Sequence, residues 1–241
     1  MTAAAHTELS ALSEALEGKD PEEILRVAAH RFPGRIALAC SFGAEDCVLV
    51  DVVGRSRLPV EVFTLDTGYL FPETYDLWKR LEVRYGIVVR VARAELPAPD
   101  PRHPPPWETD PDACCHARKV LPLRATLAGL EAWVTGIRRD QTPDRAKARV
   151  LEWDARFGLA KVNPLAAWKN EDVWAHLQRF GVPTNPLHAR GYSSIGCAPC
   201  TSPVHPGEDP RAGRWRGRTK TECGLHARFT PPPSGEEPSR S

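Results

Sequence analysis

RIALACSFGAEDCVLVDVV (residues 35–53) joins a compact apolar run, a glycine-bearing turn and a helix-compatible stretch without a break. Residues 35–40 read as a buried strand, Ser41, Phe42 and Gly43 as the turn that closes it, and residues 45–53 as a helix. Outward from this unit the same alternation repeats. The segments 60–65, 87–91 and 132–137 are short and β-rich, while 73–85 and 112–130 are helix-compatible, the last interrupted by Pro122. Such alternation predicts an α/β fold made of βαβ units, a parallel sheet with helices on both faces and ligands at the carboxyl ends of its strands. Function is therefore expected in the loops after Cys40, Leu65 and Ile137.

The flanks are simpler. An amphipathic start carries Leu9, Leu12 and Leu16, then Ile24, Leu25, Val27 and Ala28. Between Pro97 and Pro111 seven of fifteen residues are proline, which predicts a loop with no helix inside it. A last helix is expected over 171–180 with Asn170 as its cap. Beyond Gly181 the chain is rich in Gly, Pro and Arg, and a polar tail follows Phe229, so this end is expected to be irregular and mobile.

With 241 residues, 41% of them hydrophobic, the chain can bury one large core. Its 32 basic and 31 acidic residues nearly cancel, which argues against a field directed at nucleic acid or an anionic membrane, so anion binding must be local. No apolar run is long enough to span a bilayer, and no charged start precedes an apolar leader. A cytoplasmic protein is expected, and a homo-oligomer is compatible with this sequence.

Seven cysteines are present, four of them in tight pairs, Cys114 with Cys115 and Cys197 with Cys200. In a reducing compartment such pairs suggest metal or redox chemistry. Cys197 and Cys200 form a half-site common to zinc and iron-sulfur centres. Adjacent cysteines do not readily converge on one tetrahedral ion, but each can ligate a different iron of a cubane. The spacing favours a four-iron, four-sulfide (4Fe-4S) cluster over zinc, with a vicinal disulfide as the third reading. Cys40 and Cys47, within apolar strand and helix, read as buried small residues.

Six motifs stand in order along the chain: SFGAED (41–46), LDTG (65–68), CC (114–115), GIRRDQ (136–141), GYSSIGCAPC (191–200) and ECGLH (222–226). Together they resemble the assimilatory sulfonucleotide reductases, which reduce adenylyl sulfate or its 3′-phosphorylated form. The resemblance covers nearly the whole chain. It implies an adenine nucleotide α-hydrolase-like domain over 1–204 and a flexible segment over 205–241 that carries the catalytic cysteine. A glycine turn at a helix start, Ser41 to Ala44, gathers amide N–H groups and a helix dipole where the phosphate-sulfate group is expected. By resemblance, the backbone around Leu65 and Thr67 receives adenine, and Asp66 is a turn and scaffold residue. Arg138 and Arg139 are either solvated or part of the nucleotide pocket, the latter favoured by the resemblance. Arg145 is similar to a family arginine that contacts substrate, as are Arg211 and Arg214 by their spacing after Cys200. Arg216, Arg218 and Lys220 read as a solvated run, and His116, His188 and His205 lack metal-ligand spacing.

Cys223 lies outside both pairs in a polar stretch, and is the expected nucleophile. A thiol has a pKa of about 8.5 in water, so attack at neutral pH needs nearby cations. The basic run upstream supplies them, His226 follows three residues on, and Lys119 sits one helical turn past Cys115, between cluster and substrate. The resemblance implies adenylyl sulfate as substrate, with the 3′-phosphorylated nucleotide or use of both as the alternative, and a separate reduced thioredoxin as partner. Two other readings stand beside it. An ATP-using relative would carry a Ser-Gly-Gly-x-Asp-Ser type loop, which is missing here, and a zinc module on nucleic acid fits poorly with the near-zero charge and a lone Cys223.

Overall fold

The computed structural model describes residues 3–96, 102–220 and 222–225. Its centre is a six-stranded sheet in the order β3-β2-β1-β4-β6-β5. The strands are β1 (Ile36–Ala39), β2 (Glu61–Leu65), β3 (Val89–Ala92), β4 (Ala132–Val134), β5 (Leu151–Asp154) and β6 (Leu159–Val162). All neighbours pair in parallel except β5 with β6. The helices are α1 (Ala3–Ala15), α2 (Pro21–Arg31), α3 (Ala44–Arg55), α4 (Pro72–Tyr85), α5 (Pro106–Thr109), α6 (Pro111–Cys115), α7 (Leu121–Leu127) and α8 (Asn170–Arg179).

Side-chain alternation on β1 assigns the two faces. Ile36 and Leu38 join a large core with Ile24 and Leu25 of α2, Leu49 and Val53 of α3, Leu77 of α4 and Val173 of α8. Ala37 joins a smaller core on the other side with Phe63, Trp133, and Leu123 and Leu127 of α7. Val48, Leu49, Val50, Val52 and Val53 leave almost no surface exposed, each burial contributing about 1.5–3 kcal/mol, so α3 is fixed beneath the strand ends. Because β1 connects outward to β2 on one side while β4 lies on its other side, a crevice opens between the carboxyl ends of β1 and β4.

Four local expectations are corrected. The antiparallel hairpin of β5 and β6, turned at Gly158 in the left-handed region (φ 73°), extends the sheet where no strand was expected. A helical turn, α5, forms within the proline-rich segment because Pro106 takes the first helical position, where its missing N–H is not needed. Helix α8 begins at Asn170 with Lys169 in the cap position, and the Asp172 carboxylate accepts the Lys169 N–H at 2.8 Å. Lys220 is not solvated: its side chain is 9% exposed, pairs with Asp112 and lies over the Trp215 ring.

The expected break at Pro122 takes a particular form. Between α6 and α7, residues His116–Val120 widen into a π-turn in which the Leu121 N–H reaches back to the His116 carbonyl. A proline ring clashes with the carbonyl four residues earlier in a regular helix, and the wider turn relieves that contact. Past Gly181 the chain is irregular, as expected, yet fastened. Trp215 is buried, its backbone N–H donates to the Cys200 carbonyl at 3.0 Å, and the Arg218 side chain donates to the Glu108 carbonyl at 3.0 Å. Among the described residues no helix is long and apolar enough to cross a membrane.

Candidate functional site

The turn after β1 is shaped by its own sequence. Ser41 N–H and Oγ both donate to Asp46 Oδ2, at 2.6 and 2.7 Å, folding the first turn of α3 back over the strand end. Phe42 holds a left-handed backbone (φ 62°), with its ring buried and stacked on Trp78 at 5.6 Å. Gly43 caps α3 without a side-chain bond, which leaves the helix N-terminus open. Burial pushes the Asp46 carboxyl up to about 6, against the lowering effect of its Ser41 bonds. Across the crevice, Gly136 has to be glycine: a Cβ there would lie 2.5 Å from Asp46 Oδ1 and 2.9 Å from Glu45 Cβ.

The loop after β2 is tied to the cysteine loop. Asp66 is a scaffold residue as expected, accepting from Gly68 N–H and Tyr75 Oη, both at 2.8 Å, and pairing with Arg93. Thr67 Oγ1 lies 3.3 Å from Cys197 Sγ, its carbonyl accepts Arg118 Nη1 at 2.9 Å, and Ala198 N–H donates to the Tyr69 carbonyl at 2.7 Å. A bridge between Leu70 and Cys197 completes the seam.

Cys114 and Cys115 end the short α6, whose start is capped by Asp110 Oδ1 accepting from Asp112 N–H at 3.1 Å and Ala113 N–H at 2.9 Å. Cys114, Cys115 and Cys197 are buried and Cys200 is half-buried. Burial pushes the thiols of Cys114, Cys115 and Cys200 above the ordinary range, and neighbouring cysteines push them further. Among the described residues no three His, Cys, Asp or Glu side chains have the spacing to hold one metal ion. Cys40 and Cys47 are enclosed in apolar surroundings, where burial raises both thiols well above their usual values.

These loops enclose one cavity of about 640 Å³. Ser41 and Gly43 line it from the first turn, Leu65 and Thr67 from the second, and Arg138 and Arg145 from the loop after β4. Lys119, Arg211, Arg214, Cys197 and Cys223 close the remaining side. Arg138 is buried between Glu45, at 2.9 Å, and Asp140. Arg214 packs so closely on Gly196 that a Cβ there would meet its Nη2 at 2.3 Å. Burial lowers the Arg214 pKa, and the Nε atoms of Arg145 and Arg214 are buried without a hydrogen-bond partner. Burial also penalises charged Lys119, but the nearby Cys197 and Cys223 outweigh it and hold the ammonium above its ordinary value. The cavity wall thus holds five cations, Lys119, Arg138, Arg145, Arg211 and Arg214, several of them paired with the lining carboxylates Glu45, Asp140 and Glu222, together with a thiol.

Residues 35–203 match the model of the phosphoadenosine phosphosulfate reductase domain. The chain belongs to the phosphoadenosine phosphosulfate reductase family. Its relatives in this reductase family include the adenosine 5′-phosphosulfate reductase of Streptomyces coelicolor, 45% identical over 226 residues that cover 91% of this chain and 95% of the relative. The phosphoadenosine 5′-phosphosulfate reductase of Gloeobacter violaceus is 42% identical over 231 residues, covering 92% and 94%. A phosphoadenylyl-sulfate reductase of Candida auris, solved with phosphate, matches with a TM-score of 0.72 at 28% identity, covering 81% of this chain and 96% of that one. The reductase fold is the adenine nucleotide α-hydrolase-like arrangement that the resemblance implied, and it agrees with the strand-helix alternation.

Most of the residues expected at the reductase site meet in this cavity, but not all. Arg139 is a correction: it turns away to grip Glu17 with two bonds of 2.7 Å and the Ala148 carbonyl at 2.8 Å. Cys114, Cys115 and Cys200 do not line the cavity wall, which Cys197 and Cys223 reach. His226 lies outside the described residues. Glu45, Gln141, Arg118 and Glu222 were not expected at the site, although Glu45, Gln141 and Glu222 stand inside the motifs. His188 also lines the cavity, with Nδ1 2.9 Å from the Tyr192 carbonyl and Nε2 buried without a partner.

Proposed function

We propose that this chain reduces adenylyl sulfate to sulfite and AMP, as a step of assimilatory sulfate reduction, with Cys223 as the nucleophile. The observation that carries this reading is the sharing of one cavity by Cys223, an open helix N-terminus and five cations, Lys119, Arg138, Arg145, Arg211 and Arg214. A dianionic electrophile repels a thiolate unless cations neutralise both, and arginine forks fit tetrahedral oxyanions. The Cys223 thiolate attacks the sulfur of the sulfate group, the S–O bond to AMP breaks, and Cys223 carries an S-sulfonate. A thiolate of reduced thioredoxin then attacks Cys223 Sγ and sulfite leaves. The second thioredoxin thiol resolves the mixed disulfide, so the dithiol is oxidised by two electrons and Cys223 returns to the thiol.

Cys114, Cys115, Cys197 and Cys200 suit a 4Fe-4S cluster in their donor chemistry. All four are thiols, they influence one another electrostatically, and adjacent Cys114 and Cys115 can each ligate a different iron of a cubane. Bound there, the cluster supplies a covalent tie between α6 and the Cys197 loop and a fixed charge beside the cavity. Lys119 holds its positive charge between those thiols and Cys223, where it favours an anionic ligand. A second reading, reduction of the 3′-phosphorylated nucleotide, is favoured by the name of the Gloeobacter relative. Sulfite release by anaerobic protein with reduced thioredoxin separates the two. A higher kcat/KM for adenylyl sulfate is expected, and a higher value for the 3′-phosphorylated form would replace this reading with the second. Without thioredoxin, adenylyl sulfate should add one SO₃ mass to the peptide bearing Cys223, and Cys223→Ser should abolish both adduct and sulfite.

A further inference from the structure

The residue before Cys223 is bound twice in the cavity wall. Arg145 Nη2 donates to Glu222 Oε1 at 3.1 Å, and Arg211 Nη2 lies 3.1 Å from Glu222 Oε2. The three side chains are only 13–19% exposed. Arg145 Nη1 donates to Gln141 Oε1 at 2.6 Å, and Gln141 Nε2 donates to Glu45 Oε1 at 3.0 Å. A chain of polar contacts therefore runs from the first turn of α3, across the loop after β4, to the segment that carries the thiol. On the other side of Cys223, Gly224 turns through the left-handed region (φ 83°) and Leu225 packs against the smaller core. Cys223 is bracketed by a polar anchor and an apolar one.

We propose that Glu222 is a positioning residue, which fastens the Cys223 segment onto the cavity through Arg145 and Arg211. It rests on the reading of this cavity as the site where Cys223 attacks a sulfonucleotide. Arg145 lines the cavity while its two Nη groups hold Gln141 and Glu222, so the same side chain borders the ligand's space and keeps the segment docked. One side chain then faces both partners in the reaction. A carboxylate held in charge-assisted bonds from two half-buried guanidinium groups confines the backbone next to the nucleophile, and confinement of this kind contributes to rate rather than to ground-state affinity.

The test is Glu222→Gln, which keeps the shape and removes the charge. Two readouts are needed. In single-turnover mixing with adenylyl sulfate, S-sulfonate formation on Cys223 should slow by about tenfold or more. Nucleotide affinity, measured as the Kd of AMP in a Cys223→Ser background with and without Glu222→Gln, should stay within about twofold, because an interaction that positions the nucleophile leaves ground-state binding alone. Glu222→Asp, which retains the charge, should recover part of the rate. Alkylation of Cys223 by iodoacetamide needs no substrate and so tests docking independently of the proposed activity. It should be faster in Glu222→Gln than in the wild type, and added salt should accelerate only the wild type. Equal alkylation rates with an unchanged single-turnover rate would overturn the proposal. A rate loss matched by an equal loss of AMP affinity would overturn it too, by making Glu222 part of the ligand site. Altered alkylation in a protein that turns over neither nucleotide would uphold the docking and sink the reaction.

Discussion

Asp46 shows how one side chain links the site to stability. Its carboxyl is buried under the Ser41 turn and raised to about 6 from an ordinary value of 3.8. Below the lower value both folded and unfolded states hold the proton. Between the two, the folded state retains a proton that the unfolded state has released, so stability falls as pH rises through this window. The amount is on the order of 2–3 kcal/mol. Asp46→Asn keeps an acceptor for Ser41 and cannot titrate, so urea unfolding of the variant between pH 4 and 7 should show a flatter profile than the wild type. Parallel profiles would mean that Asp46 stays charged in the folded chain. This residue was quoted in a motif but given no role, because sequence shows an acid at the start of a helix and not the lid that buries it. Arg139 fails in the opposite direction. An arginine beside Arg138 reads as its equal until Glu17, distant in sequence, proves to be its partner.

At the scale of elements, β1, β2, β3 and β4 were legible because each is a short apolar run between helical stretches. The pair β5 and β6 was not. Lys161 stands in the middle of β6 and breaks its apolar pattern, although the side chain is buried beside Glu152 and over the Trp133 ring. Gly158 between two short runs was the available signal. The cysteine pairs were legible by spacing, but the π-turn that carries Lys119 beside them was not, since Pro122 announces a break without saying which kind. The two pairs sit on separate elements, α6 and the Cys197 loop, and the latter is tied to the cavity-lining Leu70 by a β-bridge. Serine in place of Cys114, Cys115, Cys197 or Cys200 should therefore remove iron and sulfide together, with loss of the brown colour. The wild type purified without air should contain the two in equal amounts. Stoichiometric zinc in a protein that still releases sulfite would contradict the cluster.

For the molecule as a whole, the scaffold and the site can be perturbed separately. Helix α1 is attached to β5, where Leu151 N–H donates to Ser13 Oγ at 3.0 Å in a buried contact. Ser13→Ala strands that donor and should cost about 1–3 kcal/mol in urea unfolding. AMP affinity in the folded variant should not change, because Ser13 contributes nothing to the cavity wall; a parallel loss of affinity would show that the sheet edge and the crevice are coupled. Phe42 presents the reverse case. A non-glycine residue in the left-handed region costs about 1–2 kcal/mol, and here the turn is held by a ring stacked on Trp78. Neither ring belongs to the cavity lining, so the shape of the turn after β1 is set by a contact behind it. A displacement of α4 at Trp78 is therefore expected to reach the Ser41–Gly43 turn from behind, without any contact inside the cavity itself.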